Sequence, residues 1–110
     1  MDDQAAPTVP VVVGLPAEID VTNCQQVYEE LITALTPGVA TMIADMTETV
    51  FCDSSGVHAI MQAYESAAAR DVQLRLAVSP DSSVHRVLQL IGVGHLLSVY
   101  PNLDEALDAS

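Results

Sequence analysis

The sequence lacks lysine and tryptophan, and it holds three basic residues, Arg70, Arg75 and Arg86, against 15 acidic ones. The formal net charge of the 110-residue chain is therefore -12. A nucleic-acid-binding protein needs a basic stripe that neutralises phosphates, and an anionic membrane surface would repel this chain, so both partners are excluded. A basic patch on another protein is the natural electrostatic complement of so acidic a surface.

Cysteine and long apolar runs are also scarce. Cys24 and Cys52 cannot form a disulfide framework, and we interpret both as reduced thiols that pack as small hydrophobes. No apolar stretch approaches the roughly 18 residues that a membrane span requires. Residues 1–7 are acidic and polar, the reverse of a signal peptide. We therefore expect a cytoplasmic protein with a flexible tail at 1–7, one domain at 8–110, and neither a metal nor a cofactor.

The hydrophobic pattern alternates between the two kinds of secondary structure along the whole chain. Short apolar or alternating runs predict strands at 8–15, 39–45, 72–78 and 96–100. Apolar stripes at helical spacing predict helices from Thr22 to Pro37, from Ser54 to Ala68, from Ser79 to Gly92 or Gly94, and from Asn102 to Ala109. Such alternation is typical of right-handed βαβ crossovers. The predicted fold class is α/β, with a mostly parallel four- to five-stranded sheet and about four helices packed mainly on one face.

Three local features refine these predictions. Thr22 followed by Gln25 fits a capping box at the start of the first helix. Ser79 followed by Pro80 is typical of an N-cap and a first helical position. In the third strand, Gln73 and Arg75 are expected on the face opposite the leucines. Residues 46–53 are predicted to be a connecting loop.

The most informative segment is Phe51-Cys52-Asp53-Ser54-Ser55-Gly56-Val57, which lies between a predicted strand and a predicted helix. The first N–H groups of a helix lack internal partners, carry partial positive charge and bind anions. A serine there is well placed for phosphorylation, which adds about -1.5 to -2 charge. Aspartate and serine are also preferred N-caps, so the spacing alone favours a purely structural cap.

Three segments together resemble the STAS-domain family of anti-sigma-factor antagonists. Asp53-Ser54-Ser55-Gly56-Val57 is similar to the family signature, and Glu18-Ile19-Asp20 before a helix is similar to its acidic turn. Val78-Ser79-Pro80 before a helix is similar to its strand-Ser-Pro-helix segment. The resemblance covers about residues 9–107 and implies a single STAS-like domain, which is not an enzyme.

The resemblance also implies a switch. Such antagonists bind a protein that is both an anti-sigma factor and a serine kinase, and binding releases a sigma factor. The kinase then phosphorylates the antagonist, here on Ser54 with Ser55 as second choice, and a PP2C-type phosphatase reverses the modification. The partner-binding residues that the resemblance implies are Glu18, Asp20, Thr22, Asp53, Ser54, Ser55, Gly56, His58 and Gln62. We expect a monomer from a bacterial source.

Two other functions are weighed. A hydrolase triad would need Ser54 with one of His58, His85 and His95, but these histidines are scattered and no Gly-x-Ser-x-Gly elbow is present. The alternative that keeps the fold is a non-phosphorylated STAS scaffold module in a multi-protein stress-sensing assembly. The two STAS functions differ in how binding responds to changes at Ser54. His58 stands where the family commonly has glycine, and Ala17 replaces the glycine of the acidic turn, so the identity of the partner stays open.

Overall fold

The computed structural model describes residues 10–93 and 96–109. The expected tail at 1–7 and the residues Gly94 and His95 lie outside this range. The elements follow the order β1 (Val11–Gly14), β2 (Glu18–Ile19), α1 (Cys24–Thr33), β3 (Thr41–Asp45), β4 (Phe51–Cys52), α2 (Ser54–Ala68), β5 (Gln73–Ala77), α3 (Ser83–Ile91), β6 (Ser98–Tyr100) and α4 (Leu103–Asp108).

A four-stranded sheet in the order β1-β3-β5-β6 forms the centre of the domain, and all of its neighbouring strands are parallel. Val11 pairs with Met42, and Thr41 pairs with Gln73. Each helix between two sheet strands therefore carries the chain back to the starting edge of the sheet. The predicted α/β fold with a mostly parallel sheet is confirmed.

The helices are divided unequally between the two faces of the sheet. Helices α1, α2 and α3 bury their apolar stripes on one face, where Leu31, Ile60 and Val84 join the main core and Leu74 meets them from β5. Helix α4 lies on the other face, where Ala106 packs with Ile43 and Ala77 in a second, smaller core. The expectation that helices pack mainly on one face is confirmed, and α4 is the exception.

Arg75 lies under α4, on the face predicted for it. The side chain is buried, and its Nη1 donates to the carbonyl oxygen of Ala106 at 2.7 Å. Its Nε and Nη2 donate to Oε1 of Gln73 at 3.2 and 2.9 Å, and its guanidinium lies 6.0 Å from the ring centre of Tyr100. A cation near the carboxyl end of a helix offsets the partial negative charge there. Arg75 thus fastens α4 to the sheet.

The start of α1 differs from the prediction. The helix begins at Cys24, and its N-cap Asn23 makes no side-chain capping hydrogen bond. The hydroxyl of Thr22 donates to the carboxylate of Asp20, so the predicted capping box is wrong. Both polar hydrogens of Thr22 go to the carboxylate of Asp20, and the helix begins one residue later than a cap at Thr22 requires.

The start of α3 also lies later than predicted. Ser82 is the N-cap, and its hydroxyl oxygen accepts from the backbone N–H of His85 at 3.2 Å. Ser79 instead begins a turn, in which its carbonyl oxygen accepts from the N–H of Ser82 at 3.0 Å. Pro80 fits the second position of such a turn as well as a helix start, so the Ser-Pro pair did not distinguish the two. Gly92 ends α3 at φ 84°, as predicted.

Candidate functional site

Two strands of two residues each, which the sequence analysis missed, bring the predicted motifs together. In β2 and β4, Glu18 pairs with Phe51 and Ile19 pairs with Cys52, in parallel. The N–H of Asp53 then donates to the carbonyl oxygen of Ile19 at 3.1 Å. Part of the predicted loop at 46–53 is therefore a strand. Of the motif Glu18-Ile19-Asp20, the first two residues form β2. Because paired parallel strands end side by side, residues 20–22 after β2, from here on called the acidic turn, lie beside the serine pair after β4.

Of the aspartate and serines that the sequence offered as caps for α2, Asp53 is the N-cap. Its backbone is extended, and its carboxylate accepts from the N–H of Ser55 at 2.9 Å and of Gly56 at 3.3 Å. Ser54 is exposed and Ser55 is half-buried. Two of the N–H donors expected to bind an anion are therefore already occupied by a side chain. A phosphate on Ser54 would stand beside the carboxylate of Asp53.

Gly56 allows α2 to approach the β2–β4 pair. A Cβ atom at this position would lie 2.6 Å from Sγ of Cys52 and 2.6 Å from Cγ2 of Ile19. Real Cβ atoms essentially never come so close to another heavy atom. Gly56 is buried, and its part in the fold is this close packing.

The remaining predicted binding residues reach the surface. Those exposed are Glu18, Thr22, Ser54, His58 and Gln62, whereas Asp20, Asp53 and Ser55 are half-buried. Along α2, Ser54, His58 and Gln62 follow at intervals of four residues, so they share one face of the helix. The acidic turn and this face of α2 frame the serine pair.

A network of hydrogen bonds fixes the acidic turn. Oδ1 of Asp20 accepts from the hydroxyl and, at 2.9 Å, from the N–H of Thr22. The N–H of Asp20 donates to Oδ1 of Asn23 at 2.9 Å, and Nδ2 of Asn23 donates to the carbonyl oxygen of Glu18 at 2.7 Å. The hydrogen bonds from Thr22 lower the pKa of Asp20, so its negative charge persists to acidic pH. The sequence analysis missed the role of Asn23 in holding this turn, because the capping-box pattern had indicated Thr22 as the residue whose side chain binds the backbone there.

The thiol of Cys52 faces inward against the same glycine. Burial, reinforced by the nearby carboxylate of Asp53, raises its pKa to about 11. Such a thiol stays protonated at neutral pH, and it is neither a nucleophile nor a ready metal ligand. Among residues 10–93 and 96–109, no three His, Cys, Asp or Glu side chains gather in a way that could hold a metal ion.

We expect the stability of the protein to fall in alkaline solution because of Cys52. An unfolded thiol ionises near pH 9, whereas the folded one keeps its proton to about pH 11. The unfolded state therefore loses protons first, and the free energy of unfolding decreases as pH rises through this window. The absence of lysine leaves few other groups titrating there. Urea unfolding at pH 8 and pH 10.5 should show a smaller decrease for Cys52→Val, and equal decreases would contradict this assignment.

Two further findings bear on the hydrolase triad and on a membrane span. His58 is exposed one turn after Ser54, and His85 lies on α3, half-buried beside its N-cap. In the described part of the chain, no helix is long and apolar enough to cross a membrane.

Comparison with known proteins shows what this architecture is similar to. The STAS domain family model matches residues 2–106. The anti-sigma-F factor antagonist RsfA of Mycobacterium tuberculosis is 28% identical over 103 residues, which cover 91% of this chain and 79% of RsfA.

Solved structures share the fold. An anti-sigma factor antagonist from Mycobacterium paratuberculosis superposes with a TM-score of 0.81 at 20% identity, over 94% of this chain and 87% of that one. The anti-sigma factor antagonist SpoIIAA in its unphosphorylated form superposes with a TM-score of 0.64 at 24% identity, over 92% and 87% of the two chains. With a family model that spans nearly its whole length, the chain belongs to the STAS domain family.

Proposed function

We propose that this protein is an anti-sigma-factor antagonist that acts in the cytoplasm. It binds an anti-sigma factor and so releases a sigma factor, and phosphorylation of Ser54 ends the binding. The observation that carries the proposal is the exposed serine directly after the Asp53 cap, beside the acidic turn at 20–22. The similarity to RsfA, an anti-sigma-F factor antagonist, supports the same role.

The anti-sigma factor is proposed to be the serine kinase as well, and a PP2C-type phosphatase would restore binding. A kinase brings its own ATP, metal ion and general base, so the substrate has only to present a hydroxyl in a fixed position. Ser54 meets this need better than Ser55. Ser54 is exposed at the first position of α2, whereas Ser55 is half-buried and its N–H is bound to the Asp53 carboxylate.

The local charges set the effect of the modification. A phosphate adds about -1.5 to -2 charge. At Ser54 it would lie beside Asp53, whose carboxylate already occupies the N–H groups of Ser55 and Gly56. The modification therefore enlarges a negative, strongly hydrated surface and leaves the fold unchanged. Turning a complex from 99% to 1% bound takes about 5.5 kcal/mol. Burying an unpaired charge in an interface costs several kcal/mol, so the two magnitudes agree.

We expect Ser54→Ala to bind the anti-sigma factor and Ser54→Asp to bind it at least about a hundredfold more weakly, which corresponds to roughly 2.7 kcal/mol. Both variants would serve as baits in native lysate, and the captured protein would be identified and purified. Dissociation constants would then be measured by calorimetry. Mass spectrometry after incubation with the kinase and ATP would show whether Ser54 or Ser55 carries the phosphate.

Ala68→Asp is the matched control. Ala68 is exposed on the last turn of the same helix, about 21 Å from Ser54 at the rise of an α-helix. The substitution adds a negative charge far from the acidic turn. The Ala68→Asp variant should therefore bind the anti-sigma factor as the unmodified protein does. Equal binding by Ser54→Ala and Ser54→Asp would contradict the switch. It would favour the STAS scaffold module that does not respond to phosphorylation.

A further inference from the structure

The surface around Ser54 carries apolar side chains as well as acidic ones. Val21, Val50 and Phe51, here called the apolar patch, are 74%, 65% and 47% exposed. Val50 and Phe51 lie three and two residues before the Asp53 cap. Val21 stands two residues beyond β2, as Ser54 stands two residues beyond the paired strand β4. The patch therefore borders the serine from both strands.

The backbone that carries the patch is held in place. Phe51, the single phenylalanine of the chain, pairs with the exposed Glu18, while their neighbours Cys52 and Ile19 are buried. The N–H of Val50 donates to the carbonyl oxygen of Ala17 at 2.7 Å, and its own carbonyl oxygen accepts from Oγ of Ser83 at 2.8 Å. Apolar side chains that stay exposed on a fixed backbone mark interaction surfaces, and aromatic ones are frequent anchors.

In the proposed switch, phosphorylation weakens binding, and the charges around Ser54 do not by themselves explain that direction. The segments 17–23 and 48–58 contain four carboxylates, those of Glu18, Asp20, Glu48 and Asp53, and neither arginine nor lysine. Charge alone would make a basic partner bind more tightly after phosphorylation, because the attraction grows. Against a basic partner, phosphorylation weakens binding when the phosphate must lose its water against groups that cannot pair with it. Apolar contacts bordering Ser54 provide that condition.

We infer that the apolar patch is the dehydrated centre of the interface with the anti-sigma factor, with Ser54 at its margin and the carboxylates as its outer rim. This inference rests on the proposed function. The matching surface of the anti-sigma factor is apolar where it faces the patch and Ser54, and it carries arginine or lysine opposite the carboxylate rim. Long-range attraction by the rim speeds the encounter, whereas the patch supplies affinity and senses the modification.

A double-mutant cycle tests the inference with the purified anti-sigma factor captured by the Ser54→Ala bait. Phe51→Ala would be measured in the Ser54→Ala and Ser54→Asp backgrounds. In the first background we expect affinity to fall at least about thirtyfold, the size of an interface hot spot. Phe51→Ala should also reduce the factor by which Ser54→Asp binds more weakly than Ser54→Ala. The reason is that less apolar surface is left to exclude water from the charge.

Leu90→Ala is the matched control, since Leu90 is 79% exposed on α3 and lies outside the patch. It should change the affinity less than about twofold. The loss from Phe51→Ala should also persist at high salt, whereas the loss from Glu18→Gln should diminish as screening increases. Urea midpoints equal to that of the parent would show that both alanine variants are folded.

The outcomes separate the inference from the function on which it rests. If Phe51→Ala and Leu90→Ala bind equally well while Ser54→Ala and Ser54→Asp still differ, the patch is not the centre of the interface and the inference is overturned. If Ser54→Ala and Ser54→Asp bind equally, or if neither captures an anti-sigma factor, the proposed function itself is overturned.

Discussion

Replacing Gly56 by alanine is expected to lower the free energy of unfolding by about 1–3 kcal/mol, the usual cost of an extra methyl group in a packed interior. Valine at the same position should cost more, because two further carbon atoms enter the same contact. Against a total stability of about 5–15 kcal/mol, the valine variant should lose a large fraction of its free energy of unfolding and melt at a lower temperature than the alanine variant.

The expected loss follows from where the new Cβ would lie. It would stand 2.6 Å from Sγ of Cys52 and from Cγ2 of Ile19, and 3.2 Å from Cβ of Ile19. Cβ of Ile19 is fixed to the backbone of β2, so α2 must move away from the β2–β4 pair. Alanine is a better helix former than glycine by about 1 kcal/mol, and this gain offsets part of the cost.

Gly14→Ala is the control for Gly56→Ala, because no heavy atom lies within 4 Å of the Cβ that it would add. It should change the free energy of unfolding by less than about 0.5 kcal/mol. Urea unfolding followed by circular dichroism would measure both variants. Equal stability of Gly56→Ala and Gly14→Ala would show that α2 does not depend on this close approach.

Replacing Arg75 by methionine should cost about 1.5–3 kcal/mol, the range for a hydrogen bond made by a charged group. Methionine retains much of the apolar stem but leaves the buried carbonyl oxygen of Ala106 without its donor. The interaction of the guanidinium with the end of α4 and with the ring of Tyr100 is lost as well. Hydrogen exchange should therefore speed up first in α4.

The control for Arg75→Met is Arg86→Met, since Arg86 is exposed on α3. Both variants remove one positive charge, so they change the net charge equally. Arg86→Met should lie within about 0.5 kcal/mol of the parent protein. A loss of the same size in both variants would mean that the net charge of the chain, and not the buried contact with Ala106, determines the effect.

The fixed geometry of the turn at 53–56 fits the proposed role of phosphorylation at Ser54. The cap formed by Asp53 and the packing of Gly56 hold the first turn of α2 against β2 and β4. Neither contact involves the hydroxyl of Ser54 as a necessary part. A phosphate at Ser54 can therefore change the surface without releasing the helix, and Ser54→Asp should retain the melting temperature of the parent.

The sequence by itself determined the fold class, the number of helices and the start of α2. Helical and alternating periods extend over many residues, so each of the helices and longer strands repeats its signal several times. Asp53 was a candidate cap because an N-cap interacts with residues two and three positions away, within the same local segment. The Ser-Pro and Thr-x-x-Gln patterns misled because turns and helix starts use the same residues.

Only the tertiary structure decided how the candidate site is assembled. Strands β2 and β4 have two residues each, which is too short for a periodic signal, and their pairing joins segments about 30 positions apart in the chain. The need for glycine at position 56 and the burial of Arg75 likewise depend on neighbours distant in sequence, Ile19 and Ala106. A local sequence pattern indicates which secondary structure a segment favours, whereas the packing of the whole domain sets which distant residue becomes its neighbour.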